Sequence, residues 1–493
     1  MSSRSFIKSL NLFLLLIFAG TFSFAEKTTV PNLYEFTLNN GLELFVLEDD
    51  SAPLAYIEIA VKCGGIHQTK ENAGLFHLYE HMMFKGNKKF KTQKEVTQEM
   101  NSLGVASWNG STGIDRVNYY FTVPSNLLKR GLEFWSYAVR FPLLDEKEFE
   151  NEKKVVVSEI EGGLTEPNRI LFAKNAKELF PQSPWKLDPS GSPDTIKNAT
   201  LEDLKFIKDN YYIPSNSAVF VGGDVKADKV YSLVKRIFGG WKNPSGNLKN
   251  ETVSPSKAPL ESIKKIVFPH DSISGEFSKL IYTVRGPDAQ SDGMDIYGAE
   301  LWSWLMDNPE NSFTQMCLGK KEFNIPDAQY IAAGYSMARS SGLISLCAVM
   351  ENDDSSPVLR TDSLLDFWLN DCADSMADAT NAGENGYGSD DISKIMKLQE
   401  DNAVFSLETP SACLNLLSSC WASAGEDYFF NYSENTAKIK DEDICAVVEK
   451  YLKKSNGTAI LLVNPEVYKK WKQDFTNGSW EILDEKNCRW WNE

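Results

Sequence analysis

Two of the chain's four histidines, His77 and His81, stand four residues apart in the run Glu71 to Phe84. The apolar spacing of that run predicts a helix that ends before Gly86. On a helix, positions i and i+4 lie on one face, one turn apart. Two imidazoles so placed can bind one tetrahedral zinc ion through single nitrogens. Glu80, three residues after His77, projects toward the same face and suits a base acting on a metal-activated water. Zinc needs a third protein ligand. His67 and His270 qualify by residue type, but His67 follows the Gly64-Gly65 break and reads as a surface or supporting residue, and His270 lies in the other half. A carboxylate is the better candidate. Glu159 sits in the apolar run Val155 to Ile160, on a helix predicted over 146–161, and an acid buried there needs a partner. Glu152, two turns earlier on the same face, can orient a ligand or a water.

The length of 493 residues suggests about two to four domains with ample core. Lys+Arg total 51 against 68 Asp+Glu, a formal charge of -17 that repels phosphate backbones, so no nucleic-acid partner is expected. Residues 1–25 read as a secretory signal. Arg4 and Lys8 precede the apolar stretch Leu12 to Ala19, and Ser23-Phe24-Ala25 sets small residues before a cut ahead of Glu26. An uncleaved anchor is the bland alternative. No later stretch approaches about 18 apolar residues, so no stable membrane span is expected after cleavage. The expected compartment is exported, periplasmic or extracellular. Seven of the eight cysteines follow residue 300 and none forms a CxxC pair. They read as buried small residues with one or two bridges.

Leu33 to Leu47 reads as a hairpin with a two-residue Asn40-Gly41 turn. Strands are expected at 54–63 and 117–123, helices at 93–103 and 125–140, and a surface loop over the acidic stretch 374–391. An internal echo recurs at an offset of 240 residues: Leu201-Glu202-Asp203-Leu204, Tyr211 and Ser215-Asn216 match Asp441-Glu442-Asp443-Ile444, Tyr451 and Ser455-Asn456, each leading into a strand. A duplicated α/β half is the favoured explanation. Lys242 to Lys257 is linker-like, which sets a zinc-binding domain at 26–250 and a related second domain at 251–493.

His77-Leu78-Tyr79-Glu80-His81 is the inverted zinc motif, and its surroundings resemble the pitrilysin/insulinase family of zinc endopeptidases. Gly74 through Gly86 resembles the family's "G-x-x-H-x-x-E-H-M-x-F-x-G". Asn109 to Tyr120 resembles its "N-A-x-T-x-x-D-x-T-x-Y-Y", with Gly110 for the alanine. Tyr211 to Asn216 and Gly222 to Asp224 resemble its "Y-Y-x-P-x-N … G-D". The likeness runs over about residues 35 to 240 and more weakly beyond. The family's third ligand lies about 75 to 80 residues past the second histidine, where Glu159 stands.

The resemblance implies an α+β fold of two similar halves, each a mostly antiparallel sheet covered by helices on one side. It implies one zinc ion per chain held by His77, His81 and Glu159, with Glu80 as general base and Glu152 as auxiliary carboxylate. Asn109 would lie by an edge strand onto which peptide substrate is added. The family usually supplies an Arg and a Tyr from its second half to the oxyanion. Here Tyr330 matches the Tyr, but position 323 is Phe, leaving Lys320 or Lys321 as a charge without a bidentate fork. The second half has no HxxEH, and its corresponding helix falls near Gly298 to Met306. The expected activity is hydrolysis of peptides or small unfolded polypeptides. The alternative is a non-catalytic or partner-dependent subunit, as homodimer or heterodimer with a related chain. A binding module with structural zinc ranks last, since no fourth Cys or His is near.

Overall fold

The computed structural model describes residues 26–27, 30–105, 107–163, 166–245, 260–290, 292–340, 342–384, 388–406, 409–484 and 486–492. The expected signal at 1–25 and most of the expected linker lie outside the described residues.

The described residues form two sheets. The first contains β1 (Glu26–Lys27), β2 (Leu33–Thr37), β3 (Glu43–Glu48), β4 (Leu54–Val61), β5 (Trp108–Thr112), β6 (Val117–Pro124) and β7 (Ser217–Gly223) in the order β1-β2-β3-β7-β4-β6-β5. The second contains β8 (Lys264–Pro269), β9 (Phe277–Arg285), β10 (Ile331–Ser336), β11 (Leu343–Glu351), β12 (Thr458–Val463) and β13 (Glu481–Ile482) in the order β10-β11-β9-β12-β8-β13. Strands β3 to β7 have the same neighbours as β8 to β12, taken in sequence. The senses agree as well: β3·β7 and β8·β12 are parallel, and the other equivalent pairs antiparallel. The halves are therefore similar and mostly antiparallel, and the echo noted in the sequence is structural. Asn216 and Asn456, which the echo aligns, both donate their amides to backbone carbonyls, but of non-equivalent residues: Lys62 O, after β4, at 3.1 Å and Leu260 O, before β8, at 2.7 Å.

The helices include α1 (Leu75–Met82), α2 (Glu146–Gly162), α3 (Pro167–Leu179), α4 (Asp295–Met306) and α5 (Pro410–Ser423), of which the first three border the site. Strand β4 is almost wholly apolar because both of its faces are packed. Ile57 and Ile59 meet the helical layer that includes α1, while Tyr56 and Ala60 meet Leu414, Leu417 and Trp421 of α5. In exchange, α3 sets Ile170 and Leu171 on Ile266, Phe268, Ile460 and Leu462 of the second sheet. Each half thus carries its own helical layer on one side and takes a helix from the other half on the second.

Three expectations need correction. The hairpin turn is longer than two residues: Leu38 N–H bonds to Leu42 O, and Asn40, within the turn, also donates its amide to the Phe238 and Trp241 carbonyls. The stretch 374–391 is not a plain loop, because Ala373–Ala377 is helical with Met376 buried, and the helix Ser389–Ser406 begins there. All eight cysteines are free thiols, seven buried, packed as small apolar residues. No helix among the described residues is long and apolar enough to cross a membrane.

Candidate active site

Helix α1 starts at Gly74, whose φ of +88° and whose position 2.5 Å (as a Cβ) from Ser190 O both exclude a side chain. Leu75, Phe76, Leu78, Tyr79 and Met82 anchor the helix in the core, which fixes His77 and His81 on the remaining face. Their Nε2 atoms are 3.2 Å apart. Glu159 Oε2, from α2, lies 3.5 Å from His81 Nε2 and 3.8 Å from His77 Nε2. Ligands about 2.0–2.1 Å from a tetrahedral ion stand about 3.3–3.4 Å from one another. The three edges bracket that value, so the donor set fits one zinc ion. Among the described residues no other group of three such side chains is close enough to share an ion. His67 does not join them. It is wedged against Phe76 and Tyr211, and burial, then Arg339, pull its pKa down to about 4. His270 bonds to Ser272 in the second half.

Glu152 accepts a contact from His81 Nδ1 at 3.1 Å and pairs with Lys85 Nζ at 2.5 Å. This leaves His81 Nε2 aimed at the triangle. Burial of Glu152 opposes its charge, but His81 and Lys85 outweigh it and its pKa is lowered. For His81, burial likewise opposes charge, while the Glu152 hydrogen bond and the carboxylates of Glu159 and Glu80 prevail, so its pKa is raised. His77 is drawn down to about 4 by burial and by His81. A proton therefore competes with a metal ion on His81 and hardly on His77. Zinc affinity is expected to rise about tenfold per pH unit below His81's raised pKa and to level off above it. A chelator-competition titration from about pH 5 to 8 checks this, and a flat profile contradicts it. Glu152→Gln is expected to weaken zinc about 10- to 100-fold in the same assay.

Glu80 is buried beside the triangle, and Thr112 Oγ1 donates to its Oε2 at 3.0 Å. Burial raises its pKa, against the Thr112 bond and His81. Strand β5 passes directly over it. A Cβ at Gly110 would lie 2.7 Å from Glu80 Oε1, so this glycine makes room for the carboxylate. Asn109 is exposed on the same strand, which is the outer edge of its sheet. A cleft of about 540 Å³ opens beside these groups, lined by His77, Thr112, Glu159, Arg169, Phe172 and Asp188 among others. Tyr330 and Lys320 are not among its lining residues. Tyr330 stacks on Phe277 with centroids 6.1 Å apart, and Lys320 Nζ sits over the Phe367 ring. Sequence reasoning gave no role to Thr112, Lys85 or Asp188. Lys85, one turn past His81, carried a readable signal; Asp188 is placed only by tertiary structure.

A sequence profile described as "Insulinase (Peptidase family M16)" matches residues 44–186, and one described as "Peptidase M16 inactive domain" matches residues 198–372. The chain belongs to the insulinase family. Within M16, it is 29% identical over 223 residues to "Zinc protease PqqE" of Helicobacter pylori, covering 45% of this chain and 50% of that one. It is 27% identical over 247 residues to "Uncharacterized zinc protease YmfH" of Bacillus subtilis, covering 48% and 56%. These matches span about half the length of the curated relatives. In fold it is similar to a protease from Helicobacter pylori (TM-score 0.73, 20% identity, 88% of this chain and 100% of that one). It also resembles the first half of the periplasmic protease PqqL from Escherichia coli (TM-score 0.70, 17% identity, 90% and 94%). The inactive-domain profile agrees with α4, which stands between β9 and β10 as α1 stands between β4 and β5 and carries no histidine.

Proposed function

We propose that this M16 chain is an exported zinc metalloendopeptidase that hydrolyses peptides or small unfolded polypeptides with one zinc per chain. The observation that carries the reading is the Glu80 carboxylate held between the His77–His81–Glu159 triangle and the open edge strand β5. When bound, zinc supplies Lewis acidity that activates water and polarises a carbonyl. The chain's own residues do the rest. His77, His81 and Glu159 hold the ion, and Glu152 fixes the His81 ring. The edge of β5 around Asn109 offers backbone groups to an extended peptide, which lays a peptide bond near Glu80. Glu80 takes a proton from water and returns it to the leaving amine, a task its burial-raised basicity suits. Thr112 orients that carboxylate. Export rests on the pattern of residues 1–25, with the periplasmic relative in support. Chelation is expected to abolish peptide cleavage and one equivalent of zinc to restore it; cleavage indifferent to chelation contradicts the reading.

One observation favours a partner-dependent variant of this reading. Among the described residues no Arg or Lys of the second half lines the cleft, and Tyr330 is engaged with Phe277. A homodimer or a related chain would then supply the oxyanion contact. Zinc-loaded protein inert alone but active after mixing with a second polypeptide would decide for it.

A further inference from the structure

Resting on the peptidase reading, we propose that the cleft beside the candidate metal triangle selects peptides bearing an acidic side chain next to the scissile bond, and that Arg169 makes the selection. Among the described residues, three formal charges line the cleft besides His77. Glu159 is committed to the ion. Asp188 is already neutralised: its Oδ2 pairs at 3.0 Å with Nη1 of Arg489, which is 3% exposed, and its Oδ1 accepts from Ser190 N at 2.9 Å and Ser190 Oγ at 2.5 Å. Arg489 also donates to Gly163 O at 3.3 Å, which locks that side of the cleft to the end of α2.

Arg169 is the charge left over. It is exposed, and no carboxylate among the described residues pairs with it. Its guanidinium rests against Gly163, where a Cβ would lie 2.4 Å from Nη1. The carbonyl end of α2 favours a cation there without satisfying it. Phe172, one turn along α3 and 47% exposed, provides an apolar wall. An apolar stem ending in a carboxylate matches that pair, and the guanidinium fork can grip it with two hydrogen bonds. A basic side chain would meet a like charge. The chain's formal charge of -17 disfavours acidic peptides as a class, so a preference of this kind must be local.

The test uses the zinc-loaded full chain and peptides of fixed composition and net charge in which one Glu is moved along the sequence. Wild type is expected to show kcat/KM about three- to tenfold higher when Glu, rather than Gln, occupies one position adjoining the cleaved bond. Arg169→Gln should erase the preference, and Arg169→Glu should shift it to Lys, with zinc content unchanged. Binding of the same peptides to zinc-loaded Glu80→Gln reads the preference without turnover. No positional preference, or one that Arg169→Glu leaves intact, overturns the inference even if peptides are cleaved. Retained Arg169-dependent binding without wild-type cleavage supports the inference and overturns only the peptidase reading. Failure of every peptide to bind overturns both.

Discussion

Glu80→Gln is expected to lower peptide turnover about 10²- to 10⁴-fold while the protein still binds one zinc per chain. The substitution preserves shape in a place where shape is tightly set. Glu80 is 8% exposed, its Oε2 accepts from Thr112, and the missing side chain of Gly110 opens the space its Oε1 fills. Glutamine fits that space and its amide oxygen can still accept from Thr112. It cannot take a proton. The metal triangle does not include Glu80, so zinc content should hold. Paired measurements of metal content and of kcat check the prediction. Undiminished cleavage removes Glu80 as the base, and lost metal with lost activity places it in the binding set instead.

What could be read in the sequence was local. The His77–His81 spacing is a helix property, and the helix is there, shortened to 75–82 because Gly74 enters it in a left-handed conformation. Glu159 stood out as an acid in an apolar run, and it faces the two imidazoles, though its side chain is 48% exposed and not buried as that run suggested. Asn109 fell on an edge strand because the Asn109 to Tyr120 pattern spans one antiparallel pair. The rest was illegible because its partners are hundreds of residues apart. Asp188 meets Arg489 across 301 positions, and Arg116 meets Ser418 across 302. Asn40 is the turn residue it looked like, its Oδ1 accepting from Leu42 N, but no local pattern showed that its amide also reaches carbonyls about 200 residues away. Nor does any periodicity announce that α3 and α5 each cover the sheet of the opposite half.

That exchange of helices sets the second large effect. Glu58→Ala is expected to destabilise the protein by about 3–5 kcal/mol. Glu58 lies in the middle of β4, 0% exposed, on the face turned toward α5. Its Oε1 accepts from Asn118 Nδ2 at 2.8 Å, Ser418 Oγ at 2.6 Å and Arg116 Nη1 at 3.3 Å, and its Oε2 from Tyr56 OH at 2.7 Å. Arg116 Nη1 also donates to Asn415 O and Ser418 Oγ of α5. A carboxylate of the first half and a helix of the second thus complete one another around a shared cation. Removing the carboxylate leaves a largely buried guanidinium with neutral partners and opens a void beside Trp421 and Leu414. Glu58→Gln keeps the shape and most of the acceptors, so its cost should be smaller. The helix that carries His77 and His81 packs on the opposite face of the sheet, with Ile57 and Ile59, and zinc content should not change. Urea unfolding followed by tryptophan emission, with Trp421 on the disturbed helix, measures the loss. A change below about 1 kcal/mol would mean that the apolar contacts of α5, not the charge cluster, hold the two halves together.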